Sequence, residues 1–477
     1  MSDPIPCRDI TDATRHHALD EGVGQAMGTR RRHLYVREIR GVFQRLRRVI
    51  GWPLMLAYFA TPWLAWGERP AVWFDLPSRE FHLFGATFYP QEFMLLSWLL
   101  IIAAFGLFFI TVLAGRLWCG YACPQSVWTQ LFIWVEHRLE GPRHRRIRLD
   151  RRAWDADKLR RKSAKHTAWL VIAVATGLTC VGYFTPIRAL MVDLARLEAH
   201  AWACFWIAFF TLFTYLNAGW LREQVCHHMC PYARFQGVMF DADTLTVAYD
   251  AARGEPRGRR GGKLPHDAAE ASGHGDCIDC ELCIQACPTG IDIRDGLQHE
   301  CIDCAACIDA CDGVMERLGY PRGLIRYTSE NALQGHPSRR LRPRLLGYLA
   351  VLLVMLGLFI GALGDRVPLD IEVERDRQRL FQLADDGRIR NVYTLTVRNL
   401  DQQDRAYRLE ASGLDGLTLD TARLRVPAGE SRRRVVEVTV PPHALEHPSH
   451  AIRLHLEALD DPTIRLERDS RFLGETR

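Results

Sequence analysis

Charge imbalance is the first thing the chain lacks. Its 477 residues carry 61 Lys and Arg against 56 Asp and Glu, a formal net charge of only +5. No strong basic field exists to recruit nucleic acid, and Arg clusters beside apolar runs, which points to a membrane surface instead. Bulk hydrophobicity is also missing, with a mean hydropathy of −0.10. That average misleads, because apolar residues are concentrated in a few runs with charges between them. No apolar run precedes residue 49, so a cleavable signal peptide is not expected. Residues 1–28 lack periodicity and read as a disordered tail in which Cys7 is incidental. Of the 15 cysteines none lies beyond residue 364, and no His or acidic cluster replaces them there, so catalysis is not expected in that tail.

What is present is a dense cysteine block. Residues 277–311 hold two runs of the form C-x-x-C-x-x-C-x-x-x-C. Zinc sites are usually built from paired C-x-x-C units, whereas this repeated spacing is that of a two-cluster ferredoxin, in which the fourth Cys of each run serves the other cluster. Cys277, Cys280, Cys283 and Cys311 are therefore expected to hold one 4Fe-4S cluster, and Cys287, Cys301, Cys304 and Cys307 the second. Pro288 follows the first run; Asp312 follows the second, which makes its end less standard. Such thiols argue for a reducing compartment.

Five apolar runs, near 49–66, 91–113, 168–187, 201–221 and 345–363, are long enough or nearly so to cross a bilayer. The basic stretch Arg30–Arg48 reads as an amphipathic helix on an anionic leaflet. Lys and Arg placement puts the N-terminus, the 114–167 loop and the 222–344 region on the cytoplasmic side, and residues past 364 in the periplasm of a Gram-negative cell. A Gly, Arg and Pro-rich linker over 251–275 is expected to let a 276–330 cluster domain sit below a 49–250 membrane domain. Over 366–477, alternation at Tyr393, Leu395 and Val397, at Tyr407 and Leu409, at Val436, Val438 and Val440, and at Ile452, Leu454 and Leu456 predicts an immunoglobulin-like β-sandwich. The expected fold class is a multidomain membrane protein: an α-helical bundle of five spans, a ferredoxin-like double 4Fe-4S insertion and this sandwich.

A second cysteine pattern is duplicated. Cys119-GYA-Cys123-Pro124 follows the second run and Cys226-HHM-Cys230-Pro231 the fourth, each after an Arg (Arg116, Arg222). Two spans, a loop and the motif thus recur as a unit. Cysteines four apart on one helix would share a face and could grip one metal ion or form a redox couple. Alternatively, Pro at the first helical position makes Cys123 and Cys230 cap new helices, where the helix end and the Arg would lower the thiol pKa. Thiolates select Cu(I), zinc or iron–sulfur, and His227, His228 and Met229 add further ligands. Cys180 and Cys204, alone inside runs, read as packing residues, as do the lone His82 and His137.

The motifs GRLWCGYACPQ and CHHMCPYARFQG, the two ferredoxin runs, the five spans and the sandwich together resemble the CcoG family, also called FixG or RdxA, from about residue 30 to the end. That resemblance implies reduction of Cu(II) to Cu(I) during assembly of cbb3-type cytochrome c oxidase in the inner membrane. It places the copper chemistry on Cys119, Cys123, Cys226 and Cys230, with the ferredoxin cysteines as the electron relay. The partners it implies are membrane lipid, copper chaperones, oxidase assembly factors and a cytoplasmic electron donor, with a homodimer also on that list. Two rivals stand beside it. One is a quinol-linked electron shuttle similar to the NapH-type membrane ferredoxins, which share the paired motif; the other is a copper-holding scaffold with structural clusters.

Overall fold

The computed structural model describes residues 34–475 apart from 68, 260–272, 340, 377–378, 385 and 402. The expected N-terminal tail, Cys7, the first residues of the basic stretch and half of the expected linker lie outside those residues.

Eight helices carry the architecture: α1 (Val42–Ala60), α2 (Phe93–Ala114), α3 (Pro124–Leu139), α4 (Ala156–Gly182), α5 (Ala201–Thr214, continued by a π-helix over Tyr215–Leu221), α6 (Pro231–Met239), α7 (Ala306–Leu318) and α8 (Pro343–Gly364). Four of the five apolar runs coincide with helices long and apolar enough to cross a membrane: α2, α4, α5 with its continuation, and α8. The first run is not among them. It forms the latter part of α1, whose opening turns carry Arg45, Arg47 and Arg48 and which gives way at Thr61–Trp63 to a 3-10 turn.

The basic stretch before α1 departs from the helix expected over Arg30–Arg48. Residues 34–40 form neither helix nor strand. Their polar groups find partners elsewhere, which removes the need for helical bonds. Arg37 N donates to Gln285 O at 2.7 Å, Tyr35 OH to Asp150 Oδ2 at 2.6 Å, and Val36 O takes the His137 Nε2 proton at 3.0 Å. Helix starts only at Val42, where the carboxylate of Asp309 on α7 accepts from Phe43 N and Gln44 N at 3.2 and 2.7 Å. The ferredoxin segment thus caps α1 in the role a local Ser or Asp usually fills. Gly41 is required there, since a Cβ would lie 2.1 Å from Asp309 Cγ.

Helices α2 and α8 pack side by side and antiparallel. At one end Arg342, just before α8, donates to Val112 O at 2.8 Å; at the other Arg366, just after α8, pairs with Glu92, just before α2. Twenty-two residues span about 33 Å at 1.5 Å per residue, the thickness of a bilayer core. The cysteine region sits at the first end and the β-sandwich at the second.

The cysteine region is bounded differently from the expected 276–330 with a free linker before it. Strand Thr246–Tyr249 pairs antiparallel with Ile325–Thr328, so the unit begins near 246. The two described ends of the expected 251–275 linker bond to one another, Gly275 N to Pro256 O at 3.1 Å and Asp276 N to Arg253 O at 2.9 Å. A tether would leave those backbone groups to water; here the described ends are bonded to each other.

In the C-terminal sandwich, one sheet orders Thr418–Leu419, Ser431–Val440, Ile389–Asn399 and Leu369–Arg375, with Gln382–Leu383 beside Ile389–Asn399. The other orders Arg423–Val426, Arg405–Ser412, Ser449–Ala458 and Arg465–Leu473. Every residue named for alternation, from Tyr393 to Leu456, lies in the core between the sheets. Period-two burial on two facing sheets is what such a pattern dictates.

Candidate electron-transfer site

The two ferredoxin runs fold onto the same backbone. Asp279 and Glu281 flank Cys280 with φ of 50° and 57°; Asp303 and Ala305 flank Cys304 with φ of 48° and 58°. Left-handed conformations at non-Gly residues cost about 1–3 kcal/mol each. Turns of this kind aim successive N–H groups inward, as anionic groups such as iron–sulfur clusters require.

Two small cavities result. One, of about 360 Å³, is lined by Cys277, Cys280, Cys283 and Cys311; the other, of about 350 Å³, by Cys287, Cys301, Cys304 and Cys307, with Cys283 shared between them. Among the described residues no three metal-binding side chains converge as on one bare ion, and no cysteine is disulfide-bonded. Thiols ringing a cavity instead suit a polynuclear group. Burial pushes the Cys283 and Cys311 thiols up to about 12 and Cys301 and Cys307 well above their ordinary value. Cationic iron offsets that cost, so the donor set fits iron–sulfur clusters.

The duplicated motifs resolve the alternative left open by their spacing. Cys123 and Cys230 each cap a helix, α3 and α6, with Pro124 and Pro231 at the first helical position. Cys119 belongs to a separate turn, Leu117–Tyr121, and Cys226 to a π-helical turn, Val225–Met229. Neither pair lies on one continuous helix. The other two thiols of the motifs lie half-buried, away from those helix starts. Burial pushes Cys119 and Cys226 up to about 12, neighbouring thiols add to it, and Arg116 offsets only part. The motifs nevertheless form one patch. Cys119 feels the charge of Cys123 and Cys226, and Cys226 that of Cys123 and Cys230. Cross-bonds fasten them: Arg116 Nη2 donates to Ala233 O at 2.9 Å, the Cys119 thiol to Gln236 Oε1 at 3.4 Å, and Gln125 Nε2 to Asn217 O and Arg222 O at 3.0 and 3.2 Å. His227 is half-buried, and its Nε2 has no hydrogen-bond partner among the described residues; His228 and Met229 are exposed.

The first motif is docked on the second ferredoxin run. A Cβ on Gly120 would meet Ile302 O at 2.7 Å and Cys304 Cα at 3.0 Å, so only glycine permits this approach. Asp303, almost fully buried, accepts from Arg116 N at 2.8 Å and from Val247 N at 3.1 Å. Arg116 Nη1 donates to Cys301 O at 2.8 Å, and Arg47 Nε to Gly120 O at 3.0 Å. Sequence reading passed over Asp303, Gly120 and Arg47. The signal available was Asp recurring before the second Cys of both runs, at 279 and 303. A second anchor is Glu136, buried on α3, which takes Arg146 at 2.8 Å and Arg222 at 2.7 Å, with Lys165 at 3.9 Å. His82, read as a packing residue, is buried against Arg69 and Thr87 at 2.9 and 3.0 Å.

Four membrane-type helices joined to two thiol-lined cavities define a membrane-bound iron–sulfur electron-transfer protein. Residues 221–330 match the 4Fe-4S dicluster domain family, residues 96–146 a 4Fe-4S binding domain, and residues 359–475 the Ig-like fold at the C-terminus of FixG. The protein RdxA of Cereibacter sphaeroides is 41% identical over 80% of this chain and 83% of its own length. The nitrogen fixation protein FixG of Rhizobium meliloti is 40% identical over 86% and 84%. The chain belongs to the FixG/RdxA family. A solved FixG-related protein from Vibrio parahaemolyticus is 28% identical over 23% of this chain and 97% of its own, with a TM-score of 0.21.

Proposed function

We propose that the protein reduces Cu(II) to Cu(I) at the patch of Cys119, Cys123, Cys226 and Cys230, in the assembly of a cbb3-type cytochrome c oxidase. The observation that carries this reading is the seating of Gly120, beside Cys119, on the backbone of Ile302 and Cys304. It puts a thiol patch next to a cluster ligand loop. In this reading Cys277, Cys280, Cys283 and Cys311 hold one 4Fe-4S cluster and Cys287, Cys301, Cys304 and Cys307 the other. The clusters, when bound, supply single electrons at low potential. The chain's own residues do the rest. Arg116 and Asp303 fix the distance between loop and patch. The four thiols offer soft donors that favour Cu(I) over Cu(II), so binding pulls the copper couple towards the reduced ion. Because burial keeps Cys119 and Cys226 protonated at neutral pH, copper binding there releases protons.

The inner membrane is the proposed location, with the cluster region cytoplasmic and the sandwich periplasmic, following the Lys and Arg distribution. A cytoplasmic donor, a copper chaperone and oxidase assembly factors are the proposed partners. The test is direct. Protein with reduced clusters is mixed with Cu(II) while cluster absorbance and a Cu(I)-specific chelator are followed together. Cluster bleaching and Cu(I) should rise in step; oxidation of the clusters without Cu(I) would sink the reading.

A further inference from the structure

A cleft separate from the cluster cavities lies where α1, α3 and the cysteine region meet, with about 1090 Å³ of empty space. Its mouth is framed by Trp52 on α1 and Trp134 on α3, edge to face at 6.1 Å and each nearly half exposed. Tryptophan pairs of this kind belong at a membrane interface. The walls behind them are apolar, from Met55, Val127 and Ile133. The half-buried Thr129, Gln130 and His137 bring polar groups, and the buried Arg222 and Glu223 line the cleft together with Cys226. The remaining side consists of Pro288, Thr289, Ile302 and Ala306. Pro288 directly follows Cys287, and Ile302 lies between Cys301 and Asp303.

The lining joins a half-exposed tryptophan pair and apolar side chains to hydrogen-bonding groups and the cluster-ligand loops. A phospholipid headgroup suits it poorly. Of the four arginines that line the cleft, the two buried ones are committed, Arg47 to Gly120 O at 3.0 Å and Arg222 to Glu136 at 2.7 Å, and Arg37 and Arg48 are exposed, so a phosphate in the buried part would have to break existing bonds. An uncharged ring with a long apolar tail asks only for one or two neutral partners at its oxygens, which the Thr129 hydroxyl and the Gln130 amide supply. Cofactor sites are clefts that are mostly apolar with a few placed polar groups. We propose that the cleft binds the ring of an isoprenoid quinone, its tail leaving between Trp52 and Trp134 into lipid. The proposal rests on the iron–sulfur electron-transfer class of the protein and is independent of copper.

The test uses the full-length chain in detergent with a photoreactive, short-tail azido-ubiquinone, and maps the labelled peptides. Label is expected in the α1 and α3 segments, displaced by unlabelled decylubiquinone and not by phosphatidylglycerol. Gly51 lines the cleft, and a Cβ there has its nearest neighbour at an ordinary 3.6 Å, so Gly51→Phe fits the helix and fills the space. It should cut labelling about tenfold or more, equivalent to ~1.4 kcal/mol, with iron content unchanged. Gln130→Leu keeps the volume, removes one donor, and should weaken binding by about three- to tenfold; it carries the test if the Phe variant fails to fold. Label spread evenly over the helices, equal displacement by phosphatidylglycerol (a lipid site only), or labelling unchanged in both variants would overturn the proposal. Copper reduction intact in a protein without quinone labelling removes the quinone and spares the proposed function; the reverse result does the opposite.

Discussion

The two CxxxCP motifs share a sequence and a fold position but are held by different things. Aligned on their cysteines, Gly115 corresponds to Arg222, and Gly120 to His227. The chain reverses after each preceding helix with φ near +57° at Gly115 and +42° at Arg222. Glycine takes that conformation freely; at Arg222 it stores about 1–3 kcal/mol, held by the bond from its guanidinium to Glu136. Arg116, one residue later in the first motif, instead grips carbonyl oxygens of the cysteine region and of α6. So the first motif is anchored outward, onto the cluster loop, with glycine at the contact. The second is anchored inward, onto α3, leaving a histidine and the cleft-facing Cys226 at its surface. The two copies of the unit are thus held differently: one on a cluster-ligand loop, the other on α3, and on the proposed function that is a division of labour.

The largest effect should come from the thiols. Cys226→Ala with Cys230→Ala should abolish copper reduction, a loss of at least about 100-fold if the patch supplies the ligands that hold Cu(I). Iron content and cluster absorbance should stay at wild-type levels. Loss of iron in that variant would mean the second motif serves a cluster rather than copper, and the division of labour would disappear.

Next is the inward anchor. Glu136→Ala leaves Arg146 and Arg222 buried without their carboxylate, which costs about 3–5 kcal/mol. Thermal unfolding followed by tryptophan fluorescence should show the drop. The outward anchor responds to a single methyl group. Gly120→Ala places a Cβ at 2.7 Å from Ile302 O and must push the motif off the cluster loop, whereas Gly106→Ala, on the same side of the repeat, meets nothing within 4 Å. Copper reduction should fall about tenfold or more in the first and remain unchanged in the second, with overpacking costing about 1–3 kcal/mol. Equal rates in both would show that the Gly120 contact is not the route between loop and patch.

Much of this was legible beforehand, unevenly. Period-two alternation named the sandwich core residue by residue, because a sheet packed on another sheet leaves no other place for Tyr393 or Val438. The cysteine spacing called for two centres, and two thiol-lined cavities lie in that region, with Cys283 lining both. Tertiary bonding was invisible. The stretch before α1 looked helical by its apolar spacing, yet residues 34–40 form no helix because Gln285 and His137 supply their backbone partners. The 251–275 segment looked like a tether by composition, yet its described ends are bonded together through Arg253 and Pro256. The helix-end effect on thiol pKa concerned only the helix-capping Cys123 and Cys230 and did not reach the burial that raises Cys119 and Cys226.

The smallest test separates the motifs by acid. Burial alone would raise the Glu136 carboxyl, but Arg222, Arg146 and Lys165 override it and hold its pKa below the usual carboxylate range. A depressed folded pKa means stability that is fully present above the unfolded value of about 4.3 and is lost as pH falls through the folded one. The inward anchor should therefore weaken in acid. In the outward anchor the Arg116 guanidinium ends on carbonyl oxygens, and the one carboxylate, Asp303, which accepts from Arg116 N, has its pKa raised by burial, so protonation does not cost that anchor stability. Labelling by a pyridyl disulfide, which reacts with thiols at low pH, should become several-fold faster at Cys226 than at Cys119 once the pH drops below about 4. In Glu136→Gln the difference should already exist at neutral pH and no longer change with acid. A parallel rise at both cysteines would mean that the two motifs move as one body, and that the contrast between their anchors has no consequence for access to the patch.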